Sequence, residues 1–259
     1  MEKLTVVKIG GKVIDSPNQL AHILADFSSI EGHKVLVHGG GSLASSFMKK
    51  MGIAPKMVDG RRITDEASLD VVIMIYAGLI NKQIVAALQA NQCNAIGLSG
   101  ADGNSIKAKK REGATVDFGF VGDIEEVNVN LLTNLVRKGF SPVFSAITHD
   151  NTGQLLNTNA DTIAAEVAKA MSTSFDVSLI MTFEQKGVLS DPSDPESLIE
   201  TISYEAFKGY QQREIITDGM IPKLDNGFDA LKAGVKKVII TSYNNLADLS
   251  QKHTELYLS

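Results

Sequence analysis

The sequence has a single cysteine, Cys93, so no intrachain disulfide can form and no thiolate cluster can hold a metal. It has no excess of basic charge either: 25 Lys and Arg stand against 30 Asp and Glu, a net charge of −5. A dedicated nucleic-acid binder carries a basic footprint, so that class is set aside. An acidic protein can still bind phosphate, provided lysines and backbone N–H groups are concentrated locally. The N-terminal MEKLTVV has no signal-peptide pattern. The most apolar helical stretch, residues 67–90, contains Asp70, Asn81, Lys82 and Gln83, which reads as too polar to span a bilayer. No stretch is long enough or low enough in complexity to be a linker, and there is no solenoid repeat. No GxGxxG opens a helix, Gly10-Gly11-Lys12 runs into Val13 rather than the Ser or Thr of a P-loop, and GLSGA misses the nucleophile elbow by one residue. The five histidines lack metal-ligand spacing. Four of them read as surface or core residues, and His38, on a glycine loop, as one that orients it. These absences point to a cytoplasmic enzyme with no metal site of its own.

What is present begins with VVKIGGK, residues 6–12. Val6, Val7 and Ile9 suit a buried strand, and the glycines after it let the backbone turn and approach a ligand. Lys8 is thereby placed at the carboxyl end of a strand, where open α/β sheets bind ligands. Ser16-Pro17 marks a helix start, with a helix to about residue 30. KVLVHGGG (34–41) repeats strand, glycines and helix, an arrangement that offers N–H groups to an anion. Thr64 reads as the cap of a long apolar helix over residues 65–91, and residues 113–128 as an antiparallel hairpin added to the sheet. Further strands are expected at 94–100, 141–147 and 236–242, with 177–191 as strand then loop; helices are expected at 130–138 and 223–233, and 155–168 starts extended and becomes helical. Strands alternating with helices imply an α/β fold with a mostly parallel sheet covered on both faces.

Lysines beside glycines, an NTNAD segment and a TDGMIPK segment remain. KIGG (8–11), VHGGG (37–41), GRRITD (60–65), GFVGDI (119–124), NTNAD (157–161) and IITDGMIPK (215–223) together resemble the amino acid kinase family in order and spacing, and within it the acetylglutamate kinases. The likeness covers nearly the whole chain. It implies a three-layer αβα sandwich, with residues 1–172 holding an N-acylated glutamate and residues 173–259 holding ATP with Mg2+. The implied reaction moves the γ-phosphoryl group to the side-chain carboxylate of N-acetyl-L-glutamate, a step toward arginine. Lys8 and Lys223 match the family's transition-state lysines, and Asp161 the carboxylate that orders both. Gly10 and Gly11 match the phosphate loop. Gly40, Gly41, Arg62 and Asn157 match the substrate contacts. The nucleotide is expected against Glu184, Gly187, Val188, Leu189, Ile215, Ile216 and Thr217.

Two positions depart from the common family pattern: Glu184 stands where Asp is frequent and Ser42 where Pro is. Neither removes a charge. The acyl end is the open point, since N-succinyl-L-glutamate differs only there, and Arg61 or Lys56 would be the basic side chain to favour it. Kinases for carbamate, aspartate or uridylate share the KxGG opening, but the GRRITD and NTNAD pair favours acylglutamate. A non-catalytic amino-acid or nucleotide sensor is the rival of another class. The additional N-terminal helix of arginine-inhibited hexamers has no counterpart before the first strand. An arginine-insensitive homodimer joined through the helix at 65–91 is therefore expected.

Overall fold

A computed structural model describes residues 1–58, 61–113, 116–216 and 218–258; for Arg61 and Asp218 it describes the backbone alone. The β-branched runs form the centre of an eight-stranded sheet. Its order is Thr201–Ser203, Thr254–Tyr257, Lys237–Ser242, Asp176–Phe183, Lys3–Ile9, His33–His38, Ser141–Ser145, Ala95–Leu98. Every pairing is parallel except that between Lys237–Ser242 and Thr254–Tyr257. Ser141–Ser145 is buried at all five positions, as a strand covered on both faces must be.

Two sets of helices supply the cover. The alanine-rich Ala160–Met171 packs on the first strand, on His33–His38, on Asp176–Phe183 and against Ile221–Lys232. Pro17–Ser29 packs against Asn81–Ala90, which lies on Ala95–Leu98 and Ser141–Ser145. The expected three-layer sandwich is the observed one. The strand Lys3–Ile9 is flanked by His33–His38 on one side and by Asp176–Phe183 on the other, so the strand order switches about it although all three run parallel. Ligands of open α/β sheets bind at such a switch point, beyond the carboxyl ends of the strands.

Several local expectations are corrected. The helix cap is Asp65, whose carboxylate accepts from the Ser68 N–H at 2.9 Å; Thr64 instead bridges to Gly119 and is fully buried. Ser16 caps by backbone conformation without a side-chain bond. The hairpin pairs Ile106–Lys110 with Gly122–Val127, and it joins Ile147–His149 and Leu155–Asn157 in a separate four-stranded sheet rather than extending the main one. Gly122 accounts for the tight join: a Cβ there would sit 2.7 Å from Thr158 Oγ1 and 2.9 Å from Thr148 Oγ1. The long helix runs Glu66–Ile73, a π-helical stretch Met74–Ile80, then Asn81–Ala90. By length and composition alone this stretch of 25 residues, with an 18-residue window of mean hydropathy 1.8, could cross a membrane. Packing decides its place: Val71, Val72, Ile80, Ile84 and Leu88 are buried in the core, and so is Asn81, hydrogen-bonded to the strand at Val143.

Candidate active site

A cleft of about 690 Å3 opens beyond the carboxyl ends of the central strands. Three helix N-termini reach it: Gly40 and Gly41 begin Gly41–Lys50, Asn159 to Thr162 begin Ala160–Met171, and Ile221 and Pro222 begin Ile221–Lys232. Each brings the positive end of a helix dipole, so the cleft suits an anion before any side chain is counted.

The charged centre is built on those starts. Lys8, at the end of the first strand, places Nζ 2.9 Å from Asp161 Oδ1, and Lys223 donates to Asp161 Oδ2 at 2.6 Å. Lys8 and Asp161 are each 7% exposed. Burial alone would raise the Asp161 pKa, but the two ammonium groups overcome it and hold the carboxyl down at about 2. Burial pushes the Lys8 ammonium down from its ordinary value, against the pull of Asp161, and Lys223 adds to the lowering. Asp161 is itself positioned by the Asn159 cap, whose Oδ1 accepts from the Asp161 N–H at 2.7 Å and the Thr162 N–H at 3.2 Å. The backbone of Lys8 is tied to the neighbouring strand, its carbonyl accepting from Thr182 Oγ1 at 3.1 Å.

The two glycine loops touch backbone to backbone. A Cβ on Gly11 would lie 2.6 Å from Gly41 Cα, and Gly41 holds φ +51 with its own Cβ position 2.5 Å from the Gly11 carbonyl. Only glycine at both positions permits the crossing. Gly11, Gly40 and Gly41 line the cleft with Lys8 and Asp161, while Gly10 lies buried beside Thr182 and Phe183.

Arg62 and Asn157 line the same cleft. The Arg62 guanidinium is steered by Ser45 Oγ at 2.7 Å and Met48 Sδ at 3.3 Å, and Asn157 Nδ2 donates to Thr64 Oγ1 at 3.0 Å. Thr64 therefore serves the site rather than the helix cap. A second, apolar recess of about 150 Å3 is walled by Gly187, Val188, Leu189, Ile215 and Ile216, as the sequence suggested, and also by Gln185, Pro192 and Met220. Glu184 is not on its wall; its carboxylate pairs with Lys12 at 3.3 Å, across to the phosphate loop. Thr217 and the Arg61 side chain lie outside the described residues.

Two cleft residues escaped the sequence reading. Tyr76 is buried with its ring against Gly40, filling the space a Cβ there would need. It sits in the π-helical stretch, whose changed register no 3.6-residue pattern reveals. Arg111, held by Asp123 through Nε at 2.9 Å, lines the cleft beside Lys8 and Arg62, and Lys56 is not on its wall. Its only signal was its place after the alternating IKAKK strand.

The chain has counterparts among known proteins. The acetylglutamate kinase of Parabacteroides distasonis is 54% identical over 246 residues, 95% of this chain and 96% of that one. The smu.665 protein of Streptococcus mutans UA159 has a crystal structure that superposes with a TM-score of 0.80 at 26% identity, each chain covered to 98%. Carbamate kinase from Giardia lamblia, at 14% identity and a TM-score of 0.70 over 100% of this chain and 99% of its own, shares the fold. Residues 3–242 match the amino acid kinase family, and the chain is a member of it.

Proposed function

We propose that this protein transfers the γ-phosphoryl group of ATP to the side-chain carboxylate of N-acetyl-L-glutamate, releasing ADP and an acyl phosphate in arginine biosynthesis. The single observation that carries the reading is the Lys8–Asp161–Lys223 cluster at the mouth of three helix N-termini. The 54% identity to an acetylglutamate kinase names the acceptor. Neither the N-succinyl substrate nor the non-catalytic sensor draws support from the relatives.

Phosphoryl transfer asks for alignment and neutralisation of charge spread over the transferred group's oxygens. Lys8 and Lys223 supply the positive charge, and Asp161 keeps two ammonium groups close without mutual repulsion driving them apart. The N–H groups of Gly11, Gly40 and Gly41, with Gly10 behind them, act as fixed donors that need no reorganisation. Arg62 grips the α-carboxylate as a planar fork, and Asn157 binds beside it. The attacking carboxylate is already ionised at neutral pH, so no side chain is assigned as general base. The adenine enters the apolar recess around Val188 and Ile216.

Mg2+ is expected to arrive on the nucleotide. No group of three or more acidic, His or Cys side chains that could hold a metal stands among the described residues, and both Asp161 oxygens face lysines. Such a site fits a metal carried mainly by phosphate oxygens and water. Bound there, the ion screens the phosphate charge. Residues 1–172 then form the acylglutamate lobe and residues 173–259 the nucleotide lobe. The protein works in the cytoplasm as a homodimer joined through the helix Glu66–Ala90, where Met74 and Leu79 leave apolar surface exposed. ATP-dependent hydroxamate formation from N-acetyl-L-glutamate and hydroxylamine tests the reaction; no product above a no-ATP control refutes it. Rates with the N-acetyl and N-succinyl substrates, side by side, check the acyl group.

A further inference from the structure

We propose that His38 is a positioning residue for phosphoryl transfer: its Nδ1–H holds the Gly39 carbonyl and thereby turns the Gly40 N–H into the cleft. The inference rests on the cleft being the site of that reaction. His38 ends the second strand and is fully buried, with no contact to the cleft itself. Its Nδ1 lies 2.8 Å from the Gly39 oxygen and its Nε2 lies 3.1 Å from Asn81 Nδ2.

The proton's place on the ring follows from a third contact. Asn81 Nδ2 is also 2.9 Å from the Val143 carbonyl, which can only accept, while Asn81 Oδ1 accepts from Lys82 Nζ at 3.1 Å. The amide is thus oriented from both ends, and its second N–H is left to point at His38 Nε2. That nitrogen must accept. Burial, opposed by the Gly39 carbonyl and reinforced by the charge of Lys82, lowers the imidazole pKa to about 4, so the ring is neutral. A neutral imidazole that accepts at Nε2 carries its proton at Nδ1, where the Gly39 carbonyl waits.

A trans peptide points its C=O and N–H in opposite directions, and no peptide among the described residues is cis. Drawing the Gly39 oxygen toward the buried ring therefore sends the Gly40 N–H outward. Gly40 lines the cleft and starts the helix Gly41–Lys50, so this N–H is among the donors the anion meets. Glycine has no side chain to fix its own peptide, and Tyr76 braces only the Cα side of Gly40. The chain from Val143 through Asn81 and His38 supplies the missing constraint, from the strand that pairs with His33–His38.

Two substitutions divide the ring into its halves. In His38→Asn the side-chain amide takes the place of the Nδ1 donor, and in His38→Gln the carbonyl oxygen takes the place of the Nε2 acceptor. The expected result is kcat within about threefold of wild type for His38→Asn and a fall of at least about tenfold for His38→Gln, as for a misaligned oxyanion donor. The ATP KM should stay unchanged in both. Imidazole 15N NMR of the wild-type protein, with the His38 signal identified by its loss in the variants, should show the Nδ1–H tautomer. An Nε2–H tautomer overturns the proposal, and so do equal kcat losses that merely track the melting temperatures. Wild-type protein without ATP-dependent hydroxamate formation would instead overturn the kinase reading, and the catalytic role of His38 with it.

Discussion

Asp161 carries the electrostatics of the cleft. A carboxylate with this little exposure would ordinarily be costly, yet two ammonium groups within 2.9 Å keep it ionised. Removing either lysine leaves a neutral pair where the wild-type cluster carries one net positive charge, and so one fewer positive group for the transferring oxygens. Lys8→Ala and Lys223→Ala should each lower kcat by about 100-fold or more, with the acylglutamate KM within about threefold, in steady-state kinetics. A change confined to KM would mean ground-state binding only. The Asp161 pKa also makes a statement about stability. It is lowered from 3.8 to about 2, so its contribution is present above pH 3.8 and is lost as the pH falls toward 2. The size is roughly 2 kcal/mol. Urea unfolding should show wild type well above Asp161→Asn at pH 6 and the gap narrowing at pH 3; a gap independent of pH would refute the pairing.

At the level of elements, helix starts and glycine loops do the positioning. The Asn159 cap fixes the first turn of Ala160–Met171 and hence Asp161, and Pro222 opens Ile221–Lys232 near Lys223. The crossing of the two glycine loops leaves no room for a methyl group. Gly11→Ala would place carbon 2.6 Å from Gly41 Cα, spreading the loops and lowering kcat at least about tenfold, as expected for displaced oxyanion donors. Circular dichroism should remain that of the folded protein. Unchanged turnover would show that the crossing is not needed. The repeated strand, glycine and helix order was legible because it rests on local chemistry: β-branched runs, Gly permissiveness and N-terminal Pro. The π-helical stretch was not, because an altered register leaves the composition Met74–Ile80 as helical as before. Tyr76, which that register carries to Gly40, was lost with it.

Over the whole molecule, the switch in strand order about Lys3–Ile9 brings residues 8, 161 and 223 together from distant parts of the sequence. The same sheet leaves one helix with an exposed apolar stripe. Met74 is 51% and Leu79 38% exposed, and the proposed homodimer would cover them. Sedimentation velocity should give a dimer for wild type and a monomer for Met74→Glu/Leu79→Glu. A monomeric wild type would refute the assembly. The expectation that the hairpin extended the main sheet failed at this scale, since alternation identifies strands but not their partners. Gly122, which leaves room for Thr148 and Thr158, became interpretable only once the separate sheet was formed.

The sequence alone determined the residues that carry charge, the glycines that let the backbone approach, and the strand–helix alternation. All three depend on side-chain chemistry or on periods of a few residues. Tertiary structure decided which helix start faces which strand end, that Thr64 anchors Asn157, that Glu184 turns to Lys12 rather than to the nucleotide recess, and that Arg111 reaches the cleft. It also decided where the proton on His38 resides. Those outcomes depend on distances between residues far apart in the chain, which only packing sets.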